Sequence, residues 1–274
     1  HSDICLMPLL ICDLGTMAYA AALELQRAAA RARISGELAD DLLLLVEHPP
    51  VITLGRNARD AHLGVSAEFL AAKGIELFEV ERGGDVTFHG PGQLVGYPIV
   101  NLQGLRPDLH WYLRQLEEAL IRAVAGYGLT AVRNPGYTGV WTSGRGEGAL
   151  GKREAPEGHP VAPEETAEGA VRPAGTGGLR KIASIGVHAR EWVTWHGFAL
   201  NVATDLRNFD LMVPCGIRGV KMTSLAAELG GAPASMSEAR AAVTATFGDT
   251  FAYDDTVPVA LSDLRLPGGD PARA

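Results

Sequence analysis

Residues 42–46 are five consecutive apolar side chains, Leu-Leu-Leu-Leu-Val, and Pro49-Pro50 follows shortly after them. Successive side chains of a β-strand point to opposite faces of the sheet, so an unbroken apolar run predicts a strand that is covered on both faces. Proline ends such a strand because it has no backbone N–H to donate. The run therefore indicates a sheet with a packed layer on each side.

The rest of the chain contains patterns for further strands and for helices. Apolar periodicity of the helical kind predicts long helices at 14–33, with Thr16 as N-cap, and at 108–127. Shorter helices are predicted at 66–73, 224–229 and 237–247, and further strands at 4–12, 51–54, 76–81, 97–101, 181–187, 191–194 and 197–202, with strand fragments at 132 and 140–141. Because helices and strands do not alternate regularly, the pattern favours an α+β (mixed α/β) fold, a single domain with a central mixed β-sheet flanked by helices.

Residues 143–178 differ in character from the segments around them. Gly, Pro, Glu and Ala dominate this stretch, and no hydrophobic period runs through it. Such a composition cannot bury enough apolar surface to fold by itself. We therefore predict one catalytic domain over 1–274, with a low-complexity insertion at 143–178 and a flexible tail from about residue 260.

Composition excludes several classes of partner. The net charge is −8 and the pI is about 5.5, whereas nucleic-acid-binding domains present a basic face. No apolar stretch reaches the roughly 18 residues that a membrane helix needs. The chain has three cysteines, Cys5, Cys12 and Cys215. This low, odd number does not suit a disulfide framework, and its absence favours a reducing, cytoplasmic location. Their spacing does not match a zinc site, so no metal is predicted.

The stretch from Arg82 to Gln93, RGGDVTFHGPGQ, contains four glycines. Glycines allow the backbone to approach a ligand closely and to present its N–H groups. The stretch lacks both the Gly-Lys-Ser/Thr of a phosphate-binding P-loop and the third glycine of a dinucleotide-binding fingerprint. It is therefore either a ligand-contacting loop of another kind or a tight hairpin, and the residues alone leave both open.

A second candidate is Cys215, which lies between Pro214 and Gly216 in a predicted tight turn that presents the thiol. A thiol needs a neighbouring cation or base to act as a nucleophile near neutral pH. Lys181 begins an otherwise apolar strand, and a partly desolvated lysine can exchange protons with a thiol. A structural cysteine and a strand-end lysine that reaches water are the simpler interpretations. His196 is a candidate for polar lining of a pocket.

Taken in order, five segments resemble the lipoyl(octanoyl) transferase family, the octanoyltransferases of lipoic acid synthesis. They are EHPPVITLGR (47–56), RGGDVTFHGPGQLVGYPIVNL (82–102), LRKIASIGV (179–187), HGFALN (196–201) and VPCGIRGVKMTSL (213–225). The second segment is the most specific, and the resemblance covers about residue 42 to about residue 230. The insertion at 143–178 departs from the family pattern.

The resemblance implies a fold like that of the biotin/lipoate protein ligases, in which a mixed sheet forms a pocket. It implies a Cys/Lys dyad, with Cys215 as the acyl-thioester nucleophile and Lys181 as its acid/base. The family's substrate-binding positions map onto Arg82, Gly83, Gly84, Asp85, Val86, Thr87, Phe88, His89, Ser184, Ile185, Gly186, Gly197, Phe198 and Ala199.

The implied reaction moves an octanoyl group from octanoyl-acyl carrier protein, through a thioester on Cys215, to a lysine of a lipoyl domain. The implied acceptors are the lipoyl domains of 2-oxoacid dehydrogenase complexes and the glycine cleavage H protein. We expect no cofactor and no ATP, because one thioester is exchanged for another and the substrate arrives on a phosphopantetheine arm. Backbone N–H groups near Cys215 are expected to stabilise the oxyanion, and Val86, Phe88, Ile185 and Phe198 are expected to line a slot for the alkyl chain.

Three other functions fit parts of the pattern. An ATP-dependent lipoate or biotin ligase shares the pocket lysine but needs no thiol, so Cys215 favours the transferase. An amidotransferase that moves the acyl group between two lipoyl domains differs only in its donor. A non-catalytic protein that binds acyl carrier or lipoyl domains requires neither Cys215 nor Lys181.

Overall fold

The computed structural model describes residues 8–145, 178–264 and Leu266. In chain order its strands are β1 (Pro8–Thr16), β2 (Asp41–Glu47), β3 (Val51–Leu54), β4 (Glu76–Glu79), β5 (Val86–His89), β6 (Gln93–Ile99), β7 (Leu129–Asn134), β8 (Tyr137–Arg145), β9 (Arg180–Arg190), β10 (Val193–Asn201) and β11 (Asp255–Pro258). The helices are α1 (Tyr19–Ser35), α2 (Ala67–Ala72), α3 (Leu109–Ala125), α4 (Leu225–Glu228) and α5 (Met236–Phe251). Short 3-10 turns occupy Asp60–His62, Leu206–Leu211, Pro214–Gly216 and Leu261–Asp263.

The strands form two sheets. The large sheet has the order β11-β1-β2-β6-β10-β9-β8-β7, in which β11 and β2 run parallel to β1 and the other neighbours are antiparallel. The small sheet has the order β4-β3-β5, with a parallel and an antiparallel pair. This mixed sheet with flanking helices confirms the predicted fold class.

Strand β2 lies in the middle of the molecule, covered on both faces as its apolar run predicts. Leu43 and Leu45 pack in the core that the sheet forms with α3 and α5, whereas Leu42 and Leu44 pack in the core that it forms with α1. All four side chains are at most 1% exposed. Full burial of one such side chain contributes about 1.5–3 kcal/mol, so this strand is an anchor of the fold.

The small sheet has its own apolar core, which includes Ile52, Phe88 and Phe209. The rings of Phe88 and Phe209 meet edge to face, with centroids 5.8 Å apart. Phe209 belongs to the 3-10 turn that leads toward Cys215. The packing therefore ties the small sheet to the segment that carries the candidate nucleophile.

The N-terminal boundaries differ from those predicted. The strand expected at 4–12 is β1, which continues to Thr16 because that residue pairs with Glu47 of β2. The helix expected from residue 14 therefore begins only at Tyr19, and its N-cap is Ala18, not Thr16. Pairing with a distant strand outweighs the local helical pattern at residues 14–16.

The segment from 181 to 202 was predicted as three strands and is a two-stranded hairpin. Glu191 and Trp192, expected to start a strand of their own, form the turn between β9 and β10 with left-handed φ angles of 52° and 64°. The glycine-rich stretch also differs from a plain loop: residues 86–89 form β5 of the small sheet, and β6 of the large sheet begins at Gln93. The prediction gave no strand at β5 or β11, and it started the strand at 97–101 four residues later than β6 begins.

The shorter helices agree with the sequence, with N-caps at Ser66 for α2 and Ser224 for α4. Helix α5 extends beyond the predicted 237–247 at both ends, and the strand fragments at 132 and 140–141 belong to β7 and β8. Most of the predicted insertion lies outside the described residues, as does Cys5; residues 143–145 belong to β8. The tail expected from about 260 is still packed at Leu264, which is 8% exposed.

Candidate active site

Lys181 lies at the start of β9 with only 2% of its surface exposed. Its backbone is held by the segment after Cys215: Lys181 N–H donates to Lys221 O (2.7 Å), and Thr223 N–H donates to Lys181 O (2.9 Å). Its Nζ lies 5.4 Å from the ring centroid of Trp141, a favourable distance for a cation above an aromatic face. The ammonium is thus directed into the protein rather than to solvent.

Gly139 of β8 provides the space for that side chain. A Cβ at Gly139 would lie 2.7 Å from Lys181 Cε, and the residue has φ +127°. Its N–H donates to Oε1 of Glu117 at 3.0 Å, and Glu117 is fully buried and paired with Arg114 and Arg133. The buried carboxylate therefore holds β8 in the conformation that accommodates the lysine.

Cys215 lies in the 3-10 turn Pro214–Gly216, as the flanking proline and glycine predict. It has φ 56° and ψ 20°, a left-handed conformation that costs a non-glycine residue about 1–2 kcal/mol. The turn is closed by the Gly216 N–H, which donates to Val213 O at 2.9 Å. Strained backbone that is held by its surroundings is typical of functional sites, and here it aims the thiol at Lys181.

The two side chains meet. Lys181 Nζ donates to Cys215 Sγ at 3.2 Å, and Ser184 Oγ lies 3.7 Å from the same sulfur. Burial raises the pKa of the thiol, but the Lys181 charge and hydrogen bond, with Ser184 and Arg82 adding to them, outweigh it and leave the pKa below its ordinary value. The predicted proximity is confirmed, and the geometry suits an ammonium–thiolate pair.

Arg82 is a buried cation beside this pair. Its guanidinium donates to Thr53 Oγ1, to Thr53 O at 2.7 Å and to Gly83 O at 3.0 Å, all of them neutral acceptors. A buried charge without a carboxylate partner is costly unless another anion compensates it. A thiolate at Cys215 supplies such an anion.

Asp85 and His62 contact the turn Pro214–Gly216, called the nucleophile turn below, from the side of the small sheet. Asp85 Oδ2 accepts a hydrogen bond from His62 Nδ1 at 2.7 Å, and its Oδ1 accepts one from the Val86 N–H at 2.8 Å. The backbone of His62 holds the entry to the turn, because Val213 N–H donates to His62 O at 2.8 Å. A Cβ on Gly216 would lie 2.5 Å from Asp85 Oδ2. His62 was missed from the sequence because it lies in a loop segment without a recognisable pattern.

Cys215 and Lys181 line a cavity of about 370 Å³. Of the predicted substrate-binding residues, the cavity is lined by Arg82, Gly84, Asp85, Val86, Thr87, His89, Ser184, Ile185, Gly186, Gly197, Phe198 and Ala199. Two are placed elsewhere. Phe88 is fully buried in the small-sheet core because its side chain points to that face of β5, and Gly83 donates its N–H to Val187 O at 2.8 Å outside the cavity wall. Phe88 is therefore corrected as a candidate for the alkyl slot.

Other cavity residues were not expected from the sequence. They are Tyr19, Val95, Tyr97, Gly136, Tyr137, Thr138, Gly216 and Ile217. Tyr97 hydroxyl is 2.8 Å from His48 Nε2, so a buried polar layer lies behind part of the wall. His196, expected as polar lining, does line the cavity, and Tyr19 comes from α1, far from every motif in the sequence. The cavity wall therefore contains residues from strands, helices and loops that no local sequence pattern links to one another.

The family model for the lipoyl protein ligase A/B catalytic domain matches residues 18–248. The chain belongs to this family. Curated octanoyltransferases of Acidobacterium capsulatum (45% identical; 90% of this chain and 92% of that one), Rubrobacter xylanophilus (50%; 79% and 81%) and Koribacter versatilis (42%; 96% and 93%) are similar to it. Relatives at this identity confirm the expected family and an acyltransferase activity.

Solved structures support the family's fold. A bipartite lipoate protein ligase from Thermoplasma acidophilum superposes with a TM-score of 0.64 at 16% identity, covering 94% of this chain and 88% of that one. A lipoate-protein ligase A bound with ATP gives a TM-score of 0.60 at 14% identity, covering 94% and 90%. At these identities the likeness concerns the fold alone.

In the part of the chain that the structure describes, no helix has the length and apolar character of a membrane span. Within residues 8–145 and 178–264, no three His, Cys, Asp or Glu side chains cluster as metal ligands.

Proposed function

We propose that this protein transfers an octanoyl group from octanoyl-acyl carrier protein to a lysine of a lipoyl domain, with Cys215 as the covalent carrier. The 3.2 Å contact between Lys181 Nζ and Cys215 Sγ at the edge of a 370 Å³ cavity carries the proposal. The cavity can hold the acyl chain, and the Lys181–Cys215 pair supplies the nucleophile that attacks the thioester. The octanoyl group is the cargo named for the similar proteins.

In the first half-reaction the Cys215 thiolate attacks the carbonyl carbon of the incoming thioester. A C–S bond to Cys215 forms, the C–S bond to the carrier breaks, and the departing thiolate takes a proton from the Lys181 ammonium. The lowered pKa of Cys215 favours the thiolate at the start of this step. Exchange of one thioester for another is nearly isoenergetic, so the step needs no ATP and no cofactor.

Stabilisation of the oxyanion falls to side chains in this proposal. The N–H of Gly216 donates to Val213 O, and the N–H of Ile217 donates to Pro214 O, so these two amides are occupied within the turn. Lys181 and Ser184 are the donors that reach the region of the sulfur. A charged donor in a water-poor site is an effective oxyanion partner.

In the second half-reaction the amine of the acceptor lysine attacks the acyl-cysteine. An amide C–N bond forms, the Cys215 thiolate leaves, and the proton lost by the amine goes to the now neutral Lys181. The ammonium–thiolate pair is thereby restored, and the formation of an amide from a thioester makes the sequence favourable. Lipoyl domains of 2-oxoacid dehydrogenase complexes and the glycine cleavage H protein are the proposed acceptors.

The acyl chain is proposed to lie along the apolar part of the cavity wall. Val86, Ile185 and Phe198 line it, and Phe198 is only 3% exposed. Burying an alkyl chain there contributes about 0.8 kcal/mol for each CH₂ group removed from water. This gain selects a chain with several methylene groups over a short acyl group.

Mass spectrometry after incubation with octanoyl-acyl carrier protein tests the proposal directly. We expect an acyl adduct on Cys215 that disappears when a lipoyl domain is added. Cys12 supplies a matched control: it is fully buried, and burial, with the Asp13 charge, raises its pKa to about 11. Cys12→Ser should keep the adduct and Cys215→Ser should abolish it. Full transfer activity in Cys215→Ser would disprove the covalent scheme.

A second assay separates the transferase from an ATP-dependent ligase. The protein is supplied with free octanoate, ATP and a lipoyl domain, without carrier protein. We expect no acylated domain under these conditions and rapid acylation when octanoyl-acyl carrier protein replaces octanoate and ATP. The opposite pattern would assign the protein to the ligases.

A further inference from the structure

A second concave surface lies on the outer side of the nucleophile turn. This outer groove, of about 750 Å³, is bounded by Val213 and Pro214 of the turn, by the segment 217–222 and by the 3-10 turn Leu206–Leu211. Ile217 lines both the outer groove and the acyl cavity. The two spaces therefore adjoin at Ile217, two residues after Cys215.

The outer groove is basic although the chain is acidic. Arg180, Arg207, Arg218 and Lys221 line it with a single carboxylate, Asp210, whereas the whole chain has a net charge of −8. A local excess of cations on an acidic protein indicates attraction of an anion to that place.

Two of the four cations remain available for a ligand. Arg180 is paired with Glu228 at 2.6 Å, and Arg207 is paired with Asp205 at 2.6 Å. Arg218 and Lys221 are exposed, and neither has an ion-pair partner among the described residues. These two cations follow Cys215 by three and six residues, and both line the outer groove and not the acyl cavity.

The floor of the outer groove is apolar. Leu206, Phe209, Met212 and Met222 line it. An extended ligand with an anionic end, a body that carries methyl and methylene groups and a thioester at the other end matches this combination of cations and apolar side chains. The cations suit a phosphate, the apolar side chains suit the methyl groups of the body, and Ile217 is where the outer groove adjoins the cavity that contains Cys215.

We propose that the outer groove binds the phosphopantetheine arm of the acyl donor, with its phosphodiester at Arg218 and Lys221. This rests on the proposed function, because it assumes a donor thioester on such an arm. Arginine and lysine bind phosphate oxygens through charge-assisted hydrogen bonds, which are about twice as strong as neutral ones. Binding the arm outside the cavity leaves the cavity itself to the acyl chain.

The test compares two small donors that differ only in the phosphate, octanoyl-4′-phosphopantetheine and octanoyl-pantetheine. The rate of Cys215 acylation is followed by mass spectrometry for the wild type and for the double variant Arg218→Ala/Lys221→Ala. We expect the wild type to react with the phosphorylated donor roughly tenfold more efficiently, in line with charge-assisted hydrogen bonds to phosphate. The double variant should lose that preference.

The double variant Arg31→Ala/Lys73→Ala is the matched control. It also removes two exposed cations, from α1 and from the C-terminal end of α2, so it changes the net charge equally. It should keep the preference for the phosphorylated donor. A loss of preference in this control would mean that overall charge, and not the outer groove, attracts the donor.

Other outcomes overturn the proposal. They are a wild type without preference, a preference that survives in Arg218→Ala/Lys221→Ala, and an equal fall in rate with both donors. A change confined to the KM for the lipoyl domain would assign the outer groove to the acceptor instead. Absence of any adduct with octanoyl-acyl carrier protein as well as with both small donors would refute the proposed function itself, whereas adduct formation without phosphate preference refutes only the role of the groove.

Discussion

The carboxylate of Asp85 lies directly against the Cα of Gly216, so that a methyl group on Gly216 would come within 2.5 Å of Oδ2. Asp85 is itself fixed by His62 Nδ1 and by the Val86 N–H. The turn that bears Cys215 thus rests on a carboxylate that cannot move aside without breaking two hydrogen bonds. The position of the sulfur depends on this contact.

Gly216→Ala should therefore impair acylation of Cys215 by displacing the turn. A displacement of about 1 Å at a reacting atom can cost 10²-fold in rate, and we expect a loss of roughly that size. Gly128→Ala is the control, because Gly128 has nearly the same φ (+72° against +67°) but nothing within 4 Å of an added Cβ. Both variants share the backbone strain, so similar acylation rates in the two would show that the Asp85 contact is unimportant.

Lys181→Met should shift the pH at which Cys215 becomes reactive. The Lys181 charge and hydrogen bond oppose burial and lower the thiol pKa. Without them burial dominates, so the midpoint of alkylation by iodoacetamide should rise by at least about one pH unit. Acyl transfer should fall by roughly 10²–10⁴-fold, as for loss of a general acid–base group. An unchanged alkylation midpoint would remove Lys181 from the role of tuning the thiol.

Glu117→Gln should destabilise the protein far more than Glu118→Gln. Glu117 is fully buried, pairs with Arg114 and Arg133 and accepts the Gly139 N–H, whereas Glu118 is 41% exposed and pairs only with Arg133. We expect a loss of about 2–4 kcal/mol in the free energy of unfolding for the first variant and less than about 1 kcal/mol for the second. Urea denaturation measures both, and equal losses would contradict the assigned role of the buried carboxylate.

Stability should fall as the pH is lowered from 7 toward 4. Burial lowers the pKa of His48 to about 4 and that of His89 to about 3, so both imidazoles are neutral in the folded protein and take up protons on unfolding below about pH 6.5. Their contribution is fully present above pH 6.5 and is lost on acidification toward the folded pKa values. Between pH 7 and pH 5 we expect a loss of roughly 4 kcal/mol from the two residues together.

The variant His48→Gln tests the share of one histidine. It lacks one titrating group, while His89 and His196, whose pKa values burial also lowers, remain, so its free energy of unfolding should depend on pH less steeply over this interval than that of the wild type. Urea denaturation at several pH values measures the slope. The same slope in both proteins would show that the buried histidines do not govern the acid sensitivity.

Local sequence patterns correctly predicted the strands and helices whose own residues carry a clear apolar pattern. The apolar run of β2 and the periodicity of α3 appear directly in the sequence, and both elements form as predicted. The end of β1 and the whole of β11 were not predicted correctly, because their pairing depends on partners far away in the chain. Local propensity at residues 14–16 favours helix, and only the partner strand overrides it.

The candidate site divides in the same way. Cys215 and Lys181 were found because a tight turn and a lysine on an apolar strand are visible locally, and the family resemblance joined them across 34 residues. Phe88 was assigned to the wrong surface, since the face to which a β5 side chain points depends on the small sheet. His62 and Glu117 act through contacts with residues far away in the chain, such as Asp85 and Gly139, so no motif indicates them.

The segment 213–223, which contains the nucleophile turn, connects the two sheets. Val213 is hydrogen-bonded to His62 beside the small sheet, while Lys221 and Thr223 are hydrogen-bonded to Lys181 in the large sheet. The 3.2 Å distance between Cys215 Sγ and Lys181 Nζ therefore depends on the relative position of the two sheets. Heat or denaturant that shifts one sheet relative to the other should abolish activity while the strands and helices are still formed. The reactivity of the Cys215 thiol should therefore change before the secondary structure is lost.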